Sequence, residues 1–243
     1  MTQLDLANVA AISTRHLSFV ETGRSKPSRE MVLHLADALD VPYRERNALL
    51  VAAGFAPRFQ ELGYEDPEMQ PIRNVLDVIL KGYEPHPALV VDAHWNVVAM
   101  NNAAWMFADG VAPELLEPPM NVMRVSLHPE GLAPKIVNFD EFRAHVLHRL
   151  RRQADLTADP KIVELAREVE SYQATPPAAL PPEAPDAMVL PLRIATDTGI
   201  LSFITTITTF GAPLDVVPSE LAIEAFHPAD ATTAAALGSP WIE

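Results

Sequence analysis

The sequence predicts a multi-domain protein, all-α over residues 1–65 and α+β over residues 70–237, where an antiparallel sheet is flanked by helices. Three observations carry this expectation. Apolar residues recur at helical spacing through the first 54 positions, and runs of strand length and composition occur at 88–100 and again at 187–226. Charge is also unevenly distributed. The 243 residues hold 18 Lys+Arg against 32 Asp+Glu, a formal net charge of −14, yet residues 1–65 hold seven cations and eight anions and are close to neutral. A hydrophobic share of 49% fills two cores and excludes disorder throughout. The absence of cysteine excludes disulfides, thiolate metal sites and cysteine nucleophiles. No apolar run is long enough to span a bilayer, and MTQLDLANVA has no basic residue ahead of an apolar stretch. The expectation is therefore a cytoplasmic protein with no membrane partner.

Residues 2–10 place Leu6, Val9 and Ala10 on one helical face behind Thr2 as N-cap. Ala11-Ile12-Ser13 interrupts that pattern, and Ser13 can cap a second helix in which Leu17, Val20 and Glu21 continue to Gly23, a natural C′ residue. Two short helices joined by a three-residue turn have the layout of a helix-turn-helix, whose second helix enters the major groove. Over 14–29 the charge balance reverses, with Arg15, Arg24, Lys26 and Arg29 against Glu21 alone and His16 beside them. Pro27-Ser28 starts a third helix with Met31, Val32, Leu35, Ala38 and Leu39 as its stripe, ended by Val41-Pro42. A fourth presents Ala48, Leu49 and Ala52 and stops at Gly54.

The run from Ile12 to Arg24 (ISTRHLSFVETGR), with Lys26-Pro27-Ser28 and Leu35-Ala36-Asp37-Ala38-Leu39, resembles the repressor-type helix-turn-helix of the XRE family. The resemblance implies double-stranded DNA as partner, contact of Gln3 with phosphate or a base, a recognition helix beginning near Ser13, and backbone contact from the loop after Gly23. Residue chemistry agrees: Arg15 can pair bidentately with guanine, Ser13, Thr14 and Ser18 can bond phosphate or base edges, and Arg24, Lys26 and Arg29 supply phosphate contacts. His16 completes the candidate set. Ala11 stands where the family has glycine, a cost of about 1 kcal/mol if its backbone takes a positive φ. The family's first helix should precede residue 2, so a truncated domain is expected, with an exposed apolar face that favours self-association as a homodimer.

Ala56-Pro57 and the polar stretch from Glu61 to Gln70 read as the connection between domains, and the helix PIRNVLDVILKGY follows. Ala88–Asp92, the turn Ala93–Asn96 and Val97–Met100 form a β-hairpin, after which Asn101-Asn102 opens a helix through Trp105-Met106-Phe107. This is similar to the start of a PAS domain. DEFRAHVLHRLRRQA and PKIVELAREVESY are amphipathic helices; the stretch from Gln173 to Asp186, with five prolines, is a loop. Ala187–Ala195, Ile200–Thr209 and Glu220–Phe226 read as three strands that complete the sheet, and neither face of ILSFITTITT is uniformly polar, as expected where both faces are covered. The hairpin, NVMRVSLHPEGLAPKIVNFDEFRAHVLHRLRRQ and the ending LSFITTITTFGAPLDVVPSELAIEAFHPAD together resemble the MmyB-like family, an XRE helix-turn-helix joined to a PAS-like ligand-binding domain in bacterial transcription regulators. The resemblance runs from about residue 2 to Leu237 and leaves GSPWIE aside. It implies a hydrophobic small-molecule ligand, a fatty acid or similar acyl compound.

Such a ligand needs a dry, elongated pocket with one or two polar anchors. Met100, Trp105, Met106, Phe107, Met120, Met123, Phe142 and Phe203 come from the elements expected to wall it, and methionine suits an adaptable pocket. Arg124 lies in the apolar stretch NVMRVSL with His128 four residues on, and burying it requires a carboxylate from the ligand or from Asp140, Glu130 or another protein acid. His145 and His148, with His128, could be imagined as a metal site, but Arg143, Arg149, Arg151 and Arg152 interleave them and favour a solvated basic face. No catalytic motif and no cofactor motif is present, so an enzyme is not expected. The rival to a ligand-responsive regulator is a lipid- or small-molecule-binding protein whose helix-turn-helix serves only dimerisation.

Overall fold

The computed structural model describes residues 2–173, 189–210 and 216–241; apart from Gln173, the expected proline-rich loop lies outside them. The chain divides into two compact units, Met1–Gln70 with Phe210–Glu220, and Pro71–Thr209 with Leu221–Glu243.

The first unit contains α1 (Gln3–Val9), α2 (Thr14–Glu21), α3 (Arg29–Ala38) and α4 (Tyr43–Ala52), joined by the short helix Val216–Glu220. Each of the first three helices begins where a hydroxyl satisfies an otherwise unpaired amide. Thr2 and Asp5 form a reciprocal capping box, Ser13 accepts from the His16 amide at 3.1 Å, and Ser28 accepts from the Met31 amide at 3.2 Å. Between α1 and α2 the chain turns at Ala11, whose φ of +48° carries the left-handed cost foreseen for a residue with a Cβ. The inward faces agree with the expected stripes at Ala10, Leu17 and Val32 and differ elsewhere. Ala7 and Ala10 are buried in α1 while Val9 is 62% exposed. In α3 the inward residues are Val32, Leu33 and Ala36, with Leu39 turned out; in α4 they are Asn47 and Leu50, and Ala48, Leu49 and Ala52 are exposed. Where helices approach closely, alanines and a hydrogen-bonded amide take the inward positions, and ranking by hydrophobicity alone misplaces the face.

Asn47 is the clearest case. Its Oδ1 accepts from the amides of Arg58 and Phe59 at 3.0 and 3.1 Å, and its Nδ2 donates to the Phe59 carbonyl at 2.8 Å and to Glu61 at 3.2 Å. The segment after α4 is thereby folded back, with Phe59 stacked on Tyr43 at 4.3 Å. Asn47→Ala should cost about 1–3 kcal/mol, because two backbone donors lose their acceptor, and a fall in the urea midpoint measures it.

The second unit opens with α5 (Gln70–Tyr83), whose inward residues are Leu76 and Leu80. Its sheet consists of β1 (Ala88–Val91), β2 (Val97–Met100), β3 (Leu192–Thr196), β4 (Gly199–Thr209) and β5 (Ala222–Pro228), in the order β2-β1-β5-β4-β3 with every neighbour antiparallel. Val90 opposes Ala99 and Ile223, and Phe203 opposes Leu192 and Pro228. β3 starts five residues later than expected and β5 two later.

The β1–β2 turn is closed by the Asp92 carboxylate, which accepts from the amides of His94 and Asn96 and from the Asn96 side chain at 2.8–2.9 Å. Trp95 takes a φ of +67° within it. Asn101, also buried, ties the Ala88 amide, the Leu80 and His86 carbonyls and the start of the 3-10 segment Asn102–Ala108 together. Beyond it lie α6 (Pro113–Leu116), α7 (Val122–Leu127), α8 (Phe139–Thr157) and α9 (Pro160–Ser171), with Ala231–Ala236 against β4 and β5. Gly131 lets the chain pass the Val125 carbonyl so closely that a Cβ would sit 2.2 Å from its oxygen. Among the described residues, no helix is long and apolar enough to cross a membrane.

Candidate functional site

Two surfaces collect the candidate residues. In the first unit Leu17 anchors α2 with 2% of its surface exposed, and Thr14 and Arg15 at the helix start lie outward, with His16 and Ser18 half-buried. The Arg15 guanidinium sits 5.3 Å from the Phe19 ring centroid, which spreads the charge over the helix surface rather than burying it. Arg24 and Lys26 are exposed in the loop beyond Gly23, and Arg29 is half-buried with a long 3.4 Å bond to the Ala56 carbonyl. Ser13 is occupied as the α2 cap, and Gln3 donates to the Glu21 carboxylate, so α1 and α2 are linked through the side chain expected to meet DNA.

In the second unit the sheet, the 3-10 segment, α7 and α8 enclose a cavity of about 460 Å³. Its wall is mainly aliphatic and aromatic, including Leu89, Val97, Leu116, Val122, Val146 and Phe226. Of the expected ligand residues, Met100, Trp105, Phe107, Met120, Met123 and Phe142 line it. Met106 and Phe203 pack in the adjoining core instead, Phe203 with no exposed surface.

Arg124 and His128 do not line the cavity. The Arg124 guanidinium makes a two-pronged pair with Glu168, at 2.7 and 2.8 Å, and the Tyr172 hydroxyl donates to the same carboxylate at 2.5 Å, with the His128 ring edge-on to Tyr172 at 4.8 Å. The acid that relieves Arg124 is thus Glu168 of α9, rather than Asp140, Glu130 or a ligand. Arg124 holds the Glu168 carboxyl below the ordinary range, and burial followed by Glu168 pushes the Tyr172 hydroxyl up to about 12. A carboxyl lowered in the folded state stabilises the protein above its unfolded value, near 4.3, and ceases to do so as pH falls through the folded value. The thermal midpoint of Glu168→Gln should therefore lie below wild type at neutral pH, with the gap closing under acid conditions.

The polar end of the cavity consists of residues the sequence did not nominate. Arg149, expected on a solvated basic face, points inward with 28% of its side chain exposed, its guanidinium 4.0 Å from the Trp95 ring centroid. Nη1 of Arg149 lies 3.8 Å from Oε1 of Glu224, too far for a hydrogen bond. Glu224 is 7% exposed, and among the described residues its Oε2 has no hydrogen-bond partner. Burial raises the Glu224 carboxyl against the opposing pull of Arg149, and lowers Arg149 itself, which remains a cation at neutral pH. His145 lies one turn before Arg149 and also lines the cavity, its ring lowered by burial and then by the charges of Arg149 and His148. A periodic signal was available: Phe142, His145, Val146 and Arg149 share one face of α8, and Glu224 and Phe226 share one face of β5. Among the described residues no group of three His, Cys, Asp or Glu could hold a metal ion.

Comparison with protein families matches the MmyB-like transcription regulator ligand binding domain over residues 72–239 and a helix-turn-helix over residues 1–46. Comparison with curated proteins finds no match.

Proposed function

Since the chain belongs to the MmyB-like transcription regulator family and joins that ligand-binding domain to a helix-turn-helix, we propose that it is a bacterial regulator whose hold on double-stranded DNA responds to a fatty-acid-like acyl ligand. The observation that carries the ligand reading is the cavity, about 460 Å³ of mostly apolar wall with Arg149 at its polar end. That volume falls within the range of small-molecule sites, and an apolar wall with one guanidinium suits a chain ending in a carboxylate. The strand order β2-β1-β5-β4-β3 supports the PAS-like description of the sensor. Val9 and Leu4 on α1, 62% and 59% exposed, supply apolar surface for the homodimer reading.

The test combines two measurements on the full chain. Native mass spectrometry before and after organic extraction reads the ligand: an acyl-sized mass lost on extraction supports the sensor, and a cavity that neither retains nor takes up an alkanoate overturns it. Fluorescence anisotropy with DNA from upstream of the native gene, at several salt concentrations, reads the other half. Arg15→Ala should lose about 10- to 100-fold for the specific site, whereas Lys26→Ala should weaken all sequences alike and reduce the salt slope by about one. Equal losses on specific and random DNA for Arg15→Ala would remove its assignment to base recognition.

A further inference from the structure

The acyl reading leaves one group at the polar end without a task. Glu224 is on β5, between β1 and β4, where its backbone is fixed by Leu89 on one side and Ile207 on the other. That register sends its side chain from the same face of the sheet as Leu89 and Ile207, which also line the cavity, so the carboxyl belongs to the cavity wall. Arg149 stands 3.8 Å away and does not hydrogen-bond it, and Oε2 has no partner among the described residues. A buried carboxyl oxygen with no donor is a costly feature unless something supplies one.

We propose that Glu224 is the second anchor of the ligand site, and that the ligand is an acyl acid carrying a hydrogen-bond donor near its head, a hydroxy fatty acid rather than a bare alkanoate. This rests on the acyl reading above. The ligand's carboxylate meets Arg149 and its hydroxyl donates to Oε2 of Glu224; a hydroxyl one or two carbons from a carboxylate bridges anchors set 3.8 Å apart. A bare alkanoate would set two carboxyl groups beside one guanidinium and bring no donor for Oε2. One of the two would have to take up a proton before both fitted. A hydroxyl removes that requirement and satisfies the unpaired oxygen, and a site built to bond such a group discriminates strongly against the analogue lacking it. Thr205, also on the cavity wall, is a neutral hydroxyl and does not alter this balance.

Isothermal titration of the extracted full-length protein with dodecanoic acid, 2-hydroxydodecanoic acid and 3-hydroxydodecanoic acid, at one pH near 7, tests the assignment. At least one hydroxy acid should bind wild type about tenfold or more tightly than dodecanoic acid. In Glu224→Leu that preference should vanish, with dodecanoic acid bound as tightly as by wild type or more so. Glu224→Gln keeps the shape and places an N–H where a bare carboxylate can accept from it, so it should tighten dodecanoic acid in a protein whose fold is preserved. Equal affinity of wild type for all three acids, or a preference that survives in Glu224→Leu, overturns the role of Glu224 while leaving the acyl reading intact. Failure of all three to bind wild type overturns the acyl reading itself, and this assignment with it.

Discussion

Phe203→Ala is expected to remove about 3–5 kcal/mol of stability, the largest loss from any single truncation considered for the second unit. Phe203 has no exposed surface, lies on β4 opposite Leu192 of β3 and Pro228 of β5, and meets Phe107 and Phe226 edge-to-face at 5.7 and 6.4 Å. Truncation forfeits its burial and both ring contacts, and the sheet cannot close over the gap because β4 is held on both sides. Trp105 provides the contrast: it is larger but 55% exposed at the cavity wall, and Trp105→Ala should cost far less. Urea titrations of the two variants separate the cases. A loss below about 1 kcal/mol for Phe203→Ala would mean that the neighbouring cavity wall collapses into the vacated space.

The contrast also bears on what the sequence made legible. Elements marked by local chemistry were readable: hydroxyls that cap α1 to α3, the Gly23 turn, the Asp92–Asn96 hairpin and the family pattern across both domains all act within a few residues of themselves. The helix-turn-helix and the ligand-binding domain followed from those marks. Inward faces in the first unit were readable only in part, because beside Ala10, Leu17 and Val32 they include Ala7, Ala36 and Asn47, chosen by close helix approach and by a hydrogen-bond set that closes 11 to 14 residues away. The cavity divides the same way. Part of its apolar wall was named, since Met100, Met120 and Phe142 announce themselves by type, whereas its polar end was not. By sequence Arg124 lies in an apolar stretch and Arg149 on a basic face, yet it is Arg149 that lines the cavity. What separates them is long-range: Glu168 on α9 meets the first, and Trp95 and Glu224 meet the second. A cation in an apolar stretch of sequence thus does not by itself mark the cavity, because which cation lines it depends on pairings that only the fold creates.

That choice makes Arg149 the position with the largest expected effect on ligand affinity. Arg149→Leu should lower affinity for dodecanoic acid by about 30-fold or more, since removing the partner of a mostly buried carboxylate typically costs 2 kcal/mol or above. Leucine retains much of the stem, so the wall remains closed, and the loss of countercharge at Glu224 is met by protonation of a carboxyl that burial already raises. Dodecan-1-ol carries no charge for Arg149 and should bind the variant nearly as well as wild type; the ratio between acid and alcohol therefore reports on the carboxylate alone. Arg149→Lys keeps the charge but lacks the planar group that lies 4.0 Å over Trp95, and an intermediate loss follows. Should acid and alcohol weaken equally in Arg149→Leu, the effect would be one of wall shape, and the carboxylate would have to be placed elsewhere in the cavity.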